Sequence, residues 1–179
     1  MKKVLMNGES IERSLNKIVH QIVERNRGAG NLAVVGIRTR GADIADRVLT
    51  LIQQVEQLKI PHGCVDITLY RDDFREMVDF PHTHGSEIQF DPKGKNIILV
   101  DDVLFTGRTV RSAIDVILDF GRPASIQLAV LVDRGGRELP IQPDYVGRKV
   151  EVRSDEYVQV LTRETDGEDK VLLIKRKEK

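Results

Sequence analysis

Two adjacent carboxylates, Asp101 and Asp102, follow an apolar run and precede a turn of small and hydroxylated residues in IILVDDVLFTGRT (Ile97–Thr109). In an open α/β sheet, ligands bind beyond the carboxyl ends of the strands, which is where such a turn lies. Thr106, Gly107, Arg108 and Thr109 would open the following helix, and the free N–H groups and dipole of a helix start favour an anion. Gly107 allows close backbone approach, and the two threonine hydroxyls add donors. Asp101 and Asp102 would repel a phosphate, so they face something else, such as sugar hydroxyls or a cation. Phosphate on the turn and ribose on the carboxylates describe a cradle for a ribose 5-phosphate. The competing reading is a solvated strand end followed by an ordinary helix cap.

The elements that would position these groups are legible from hydrophobic period. Ile11, Leu15, Ile18 and Ile22 share one face of a helix over about Ser10–Arg27, with Arg13, Lys17, His20, Glu24 and Arg27 opposite. Leu32–Ile37 reads as a buried strand, and the polar turn Arg38-Thr39-Arg40-Gly41 leads into a second helix reaching about Leu58. Val65, Ile67 and Leu69 predict a strand ending near Tyr70, and Arg71–Asn96 shows no period. After the strand at Ile97–Val100 come a helix through Val110, Ile114, Ile117 and Leu118, then a strand at Ile126–Val132. The tail offers two short strands, near Val158–Leu161 and Val171–Ile174. Alternating strand and helix predict one α/β domain with a mainly parallel sheet and helices on both faces.

Composition bounds the function. The chain has 179 residues, with 28 basic and 28 acidic side chains, so no global field draws it to a polyanion. Any nucleic acid must be met by a local patch. Cys64 is the single cysteine, which excludes an internal disulfide and suits a reducing, cytoplasmic setting. The first residues, MKKVLMNGESIERSL, lack a signal peptide's apolar run, and no membrane span is expected. His20, His62, His82 and His84 show no zinc-ligand spacing, and no protein-held metal site is expected.

The thirteen-residue motif closely resembles the signature of the type I phosphoribosyltransferases, which bind 5-phosphoribosyl 1-diphosphate (PRPP). With GIRTRG (Gly36–Gly41), DITLYRDD (Asp66–Asp73), DDVLFTGRTVRSA (Asp101–Ala113) and GRPASIQLAVLVDRGGRELPI (Gly121–Ile141), the chain resembles the pyrimidine operon attenuator proteins. That family joins uracil phosphoribosyltransferase activity to UMP-dependent binding of pyrimidine operon leader RNA.

The resemblance implies a single type I phosphoribosyltransferase domain over residues 1–179, with a mobile flap at about 71–96 and a small hood at about 133–160. It implies catalysis at Asp101 and Asp102. PRPP and uracil would be bound by Thr39, Arg40 and Gly41 of a pyrophosphate loop, by Arg71 of the flap, by Asp101 through Thr109 (including Val103, Leu104 and Phe105), and by Asp133 and Arg134 of the hood. Arg134 could equally be a structural pair to Asp133. Mg²⁺ would arrive with PRPP, and the assembly would be a homodimer or homotetramer. For RNA the candidates are Arg13, Lys17, His20, Arg25 and Arg27, extended by Arg137, Arg148 and Lys149. Aromatic residues are sparse, which disfavours base stacking.

The chain departs from the family pattern at three places. Members usually read DRGHRELP where this chain has Gly136, Gln142 removes a cation, and Glu151 adds an acid. Two main readings stay open: an enzyme that also regulates through RNA, and a phosphoribosyltransferase without RNA control. A pure RNA-binding regulator with a vestigial site is disfavoured by the intact motif.

Overall fold

The computed structural model describes residues 2–67 and 85–176. The chain forms β1 (Lys2–Asn7), α1 (Gly8–Asn26), β2 (Leu32–Ile37), α2 (Arg40–Glu56), β3 (His62–Val65), β4 (Glu87–Ile88), β5 (Asn96–Leu104), α3 (Arg108–Phe120), β6 (Ser125–Asp133), β7 (Tyr145–Lys149), β8 (Glu156–Leu161), α4 (Arg163–Asp166) and β9 (Lys170–Lys175).

Six strands form the main sheet in the order β4-β3-β2-β5-β6-β7. Its pairs are parallel except at β4, which runs antiparallel to β3. All six residues of β2 are buried, as a parallel strand covered on both faces requires. Neighbouring residues take opposite sides. Val34, Ile98 and Val100 pack with Ile11, Leu15, Ile18 and Ile22 of α1 and Ile44, Val48 and Ile52 of α2. Ala33, Val35, Ile97 and Leu99 pack with Val110, Ala113, Val116 and Ile117 of α3. Helices therefore cover both faces, as the alternating pattern predicts.

Helix α1 starts at Gly8 rather than Ser10. Asn7 caps it, its side chain accepting from the Ser10 N–H at 3.0 Å while its own N–H donates to Ser10 Oγ at 2.8 Å. Strand β5 continues beyond the point the sequence suggests: Asp101, Val103 and Leu104 pair with Val130, Val132 and Asp133 of the equally long β6. The carboxylate pair therefore sits inside a strand, held by ladder bonds on one edge. Strand β3 lies earlier than expected, and Thr68–Tyr70 fall outside the described residues.

A second, three-stranded sheet in the order β1-β9-β8 is antiparallel throughout. Its β1 and the main sheet's β7 have no counterpart in the sequence reading. Met6 and Tyr145 are the only fully buried residues of β1 and β7, too few to betray an alternating pattern.

Candidate active site

Strands β2 and β5 are parallel neighbours, so the turns that follow them emerge side by side at the carboxyl edge of the sheet. A side-chain carbon on Gly41 would lie 3.1 Å from Asp101 Oδ1 and 3.0 Å from the Val100 carbonyl. A larger residue there would force Asp101 or the start of α2 to give way by a few tenths of an ångström. Thr39 caps that helix without a side-chain hydrogen bond, and the Arg38–Thr39 peptide is cis.

Asp101 is 5% exposed, and its Oδ1 accepts the Asp102 N–H at 2.9 Å. Asp102 is half-buried, its Oδ1 accepting the Val103 N–H at 2.8 Å. Burial pushes the Asp101 carboxyl well above the ordinary carboxylate range, and the neighbouring Asp102 pushes it further. Burial raises Asp102 as well, opposed by its hydrogen bonds to Asp101 and the Val103 N–H and by the Arg40 charge. Two carboxyls that resist ionisation together gain from a cation or hydroxyl donors placed between them.

The β5–α3 turn ends in Gly107, at φ +93°, an N-cap of α3 with no side chain of its own, and the Arg108 N–H donates to Thr106 Oγ1 at 3.3 Å. A side-chain carbon there would meet Ile141 at 3.3 Å. A cavity of about 450 Å³ opens at this turn, lined by Asp101, Val103 through Thr109, Val110 and Ser112. The motif thus borders one space, with Asp101 and the helix start among its lining and Asp102 outside it. Val110 and Ser112 are additions to the residues read from sequence.

Residues 134–139 buttress this turn. The Arg134 N–H donates to the Leu104 carbonyl at 3.1 Å, and Glu138 and Leu139 N–H donate to the Thr106 carbonyl at 2.9 and 3.1 Å. Arg108 Nε meets Glu138 at 2.7 Å. Arg137 is the centre of the brace: it donates to Asp133 at 2.7 Å and to the carbonyls of Ile141 and Phe105, each at 2.9 Å. Its side chain is 14% exposed, so it is a packed strut rather than part of an open cationic patch. The sequence reading placed it with the RNA candidates because loop curvature is invisible in a linear motif.

That brace also answers the question about Asp133. Its ion-pair partner is Arg137, and the Arg134 guanidinium instead lies over the Phe105 ring, 3.9 Å from its centre. Arg40, expected to face a diphosphate, is gripped by both oxygens of Asp166 at 2.9 and 2.7 Å. Its hydrogen bonds to the Asp166 carboxylate raise its pKa. Asp166 was not a candidate, since only the second sheet brings it near. Arg71 lies outside the described residues. The described part of the expected flap, 85–96, contains β4 and the first residue of β5.

On α1, Arg13, Lys17, His20, Arg25 and Arg27 are exposed. Lys17 Nζ reaches the Gly147 carbonyl at 3.5 Å, which places the stripe beside exposed Arg148 and Lys149 of β7. Arg25 is paired with Asp144 at 2.6 Å, and Arg148 donates to the Leu5 carbonyl.

The chain matches the phosphoribosyl transferase domain family over residues 3–164. It is 49% identical over 177 residues to the bifunctional protein PyrR of Pelotomaculum thermopropionicum, covering 99% of this chain and 98% of that one. It is 51% identical over 172 residues to the protein of the same name from Clostridioides difficile, covering 96% and 97%. Among solved structures it is similar to a substrate-bound variant of hypoxanthine phosphoribosyltransferase from Trypanosoma cruzi, with a TM-score of 0.73, 18% identity and coverage of 97% and 95%. A hypoxanthine-guanine phosphoribosyltransferase from Bacillus anthracis gives a TM-score of 0.67 at 18% identity, covering 87% and 86%. At such identity these structures speak to the fold, which is the type I phosphoribosyltransferase fold. With the motif, its cavity and relatives at half identity in agreement, the chain belongs to the phosphoribosyl transferase domain family, alongside proteins named bifunctional protein PyrR.

Proposed function

We propose that the protein is a uracil phosphoribosyltransferase, converting uracil and PRPP to UMP and pyrophosphate, and that it also regulates pyrimidine genes. The observation that carries the catalytic half is the cavity that runs from Asp101 of β5 to the start of α3, with Asp102 the next residue along the strand. The 5-phosphate binds the N–H groups of Gly107–Thr109 and the hydroxyls of Thr106 and Thr109. The ribose hydroxyls face Asp101 and Asp102. Thr39, Arg40 and Gly41 border the diphosphate, Arg71 closes from the flap, and Asp133 and Arg134 flank the base.

Breaking the bond from C1′ to the diphosphate leaves a ribosyl centre with cationic character, and the bond to uracil N1 forms on the opposite face as the N1 proton is given up to the departing pyrophosphate. The main demands on the protein are orientation, charge stabilisation and exclusion of water. Asp102 stabilises positive charge beside the ribose. Hard oxygen donors such as these carboxylates suit Mg²⁺, and among the described residues no three His, Cys, Asp or Glu side chains form a set that could hold a metal by themselves. The ion would be held by Asp101 or Asp102 together with substrate oxygens. It would supply charge neutralisation to the diphosphate.

For regulation, the surface is α1 with the adjoining end of β7, binding pyrimidine operon leader mRNA when UMP is present. The family setting supports a cytoplasmic homodimer or homotetramer. Among the described residues no helix is long and apolar enough to cross a membrane. One observation favours a narrower reading without RNA control: Arg25 and Arg137 are paired with acids, which thins the cationic surface.

Turnover of uracil with PRPP and Mg²⁺ tests the enzyme, and Asp102→Asn should abolish it. Full activity in that variant would sink the ribose-site assignment. Filter binding of a pyrimidine leader hairpin, with and without UMP, tests regulation. Binding no tighter than to an unrelated hairpin would select the narrower reading.

A further inference from the structure

Arg40 is the first residue of α2, a place where the helix dipole disfavours a cation. It is held there from outside the main sheet. Nε and Nη2 donate to the two oxygens of Asp166 at 2.9 and 2.7 Å, so this fork occupies one edge of the guanidinium. Nη1 makes no hydrogen bond among the described residues, and the side chain stays 33% exposed. The Asp102 charge acts on Arg40, and its neighbour Gly41 lies against Asp101, so the guanidinium belongs to the substrate edge of the sheet.

Asp166 is itself fixed. Its Oδ2 also accepts the Thr162 N–H at 2.9 Å, and its side chain is 17% exposed. The surrounding turn, between β8 and β9, is tied to α2 at two more points. Thr162 and Thr165 donate to Asp43 at 2.5 and 2.7 Å, and Glu164 accepts from Arg47. Arg40, Asp43 and Arg47 lie three and four residues apart on one face of α2, so the turn grips the helix along a stripe. The hydrogen bonds from Arg40 hold the Asp166 carboxyl below its ordinary range, so the pair is ionised at neutral pH. A carboxylate anchored in this way orients the guanidinium rather than vacating it for an incoming anion.

We propose that Asp166 is a positioning residue for the leaving diphosphate: it locks one edge of Arg40 and presents the Nη1 edge, already ordered, to phosphate oxygens. The inference rests on reading Arg40 as part of the pyrophosphate loop. The gain is preorganisation, since a long side chain ordered before binding gives up little entropy when the ligand arrives. The second sheet thereby acts on the substrate edge through one carboxylate.

The test is calorimetric titration with PRPP and Mg²⁺, beside uracil kinetics, on single and paired variants. Asp166→Asn keeps an oxygen for the Thr162 N–H and turns an amide donor toward Arg40, which breaks the fork at no change in volume. It should weaken PRPP binding and raise KM for PRPP about tenfold, while KM for uracil stays within about twofold. Thr165→Val loosens the same turn at Asp43 without touching Arg40, and should leave KM for PRPP within about twofold even where melting shows a loss of stability. In an Arg40→Met background, Asp166→Asn should weaken PRPP binding no further. Tighter PRPP binding in Asp166→Asn would make Asp166 a competitor of the diphosphate and overturn the proposal. An equal loss in Thr165→Val, or a further loss beside Arg40→Met, would overturn it as a general loosening of the turn. Unchanged binding in Asp166→Asn beside a loss in Arg40→Met would remove the positioning role alone. Unchanged binding in Arg40→Met would refute the pyrophosphate-loop reading and the positioning role with it.

Discussion

At Asp101 a carboxyl that is 5% exposed faces a second carboxyl one residue along. Its raised pKa in the fold means that the protonated form is the comfortable one. The associated stability is complete below about pH 3.9 and is lost as pH climbs through the raised value. Asp101→Asn keeps an oxygen for the Asp102 N–H and removes the charge. We expect it to stabilise the protein at pH 7 by on the order of 1 kcal/mol, a Tm gain of roughly 2–4 °C, with the advantage gone near pH 4. Calorimetry across pH checks this, and the same variant should lose turnover. The placement of Asp101, Asp102 and Gly107 was legible because strand, acids and helix start are contiguous in sequence. The contacts of Arg137 and Arg134 were not: only the fold pairs Asp133 with Arg137 and sets Arg134 over Phe105.

Helix α1 separates two tasks on two faces, since Ile11, Leu15, Ile18 and Ile22 are buried while Arg13, Lys17 and His20 are exposed. Substituting the exposed face therefore leaves the packing intact. Arg13→Glu with Lys17→Glu should spare UMP formation, weaken leader-RNA binding, and flatten its dependence on salt by about one to two units of the log–log slope. Filter binding over a salt series, beside the uracil assay, reads both. Equal loss of the two activities would instead indicate a folding defect. Period alone gave α1, α2, α3 and the central strands, because burial on one face of a helix or both faces of a strand imprints a strong pattern. It gave nothing for β1 and β7, each with one fully buried residue, whose existence depends on pairing with remote strands.

The two sheets of the molecule are joined by a cluster of ion pairs and hydroxyls. Asp43 of α2 accepts from the hydroxyls of Thr162 and Thr165 at 2.5 and 2.7 Å. Arg47 meets Glu164 at 2.5 Å and Asp169 at 2.6 Å, and the side chain of Asp169 is only 6% exposed. The hydrogen bond from Arg47 holds Glu164 below its ordinary range, and at Asp169 the bonds from Arg47 and the Arg163 N–H outweigh the upward push of burial. Depressed carboxylates stabilise above the ordinary range, and that contribution fades as pH falls through it. Arg47→Met leaves Asp169 buried and without its main partner, so we expect a loss of about 3 kcal/mol at pH 7 that narrows below about pH 4. Chemical denaturation at both pH values measures it. The sign is opposite to that of Asp101→Asn, so the two profiles converge at low pH from different sides.

Strand β1 (Lys2–Asn7) pairs with β9 (Lys170–Lys175), which is nearly the whole length of the chain away. During translation β1 leaves the ribosome first and waits for its partner, roughly ten to thirty seconds at ordinary synthesis rates. Helix α1 does not wait, because the residues that cap it, Asn7 and Ser10, are local. The six-stranded sheet is likewise complete in the nascent chain once β7 has emerged. Asp166, the residue that grips Arg40 beside the acidic pair, arrives later with the second sheet. A ribosome that stops between β7 and α4 thus releases a folded sheet in which Arg40 has no Asp166 to hold it.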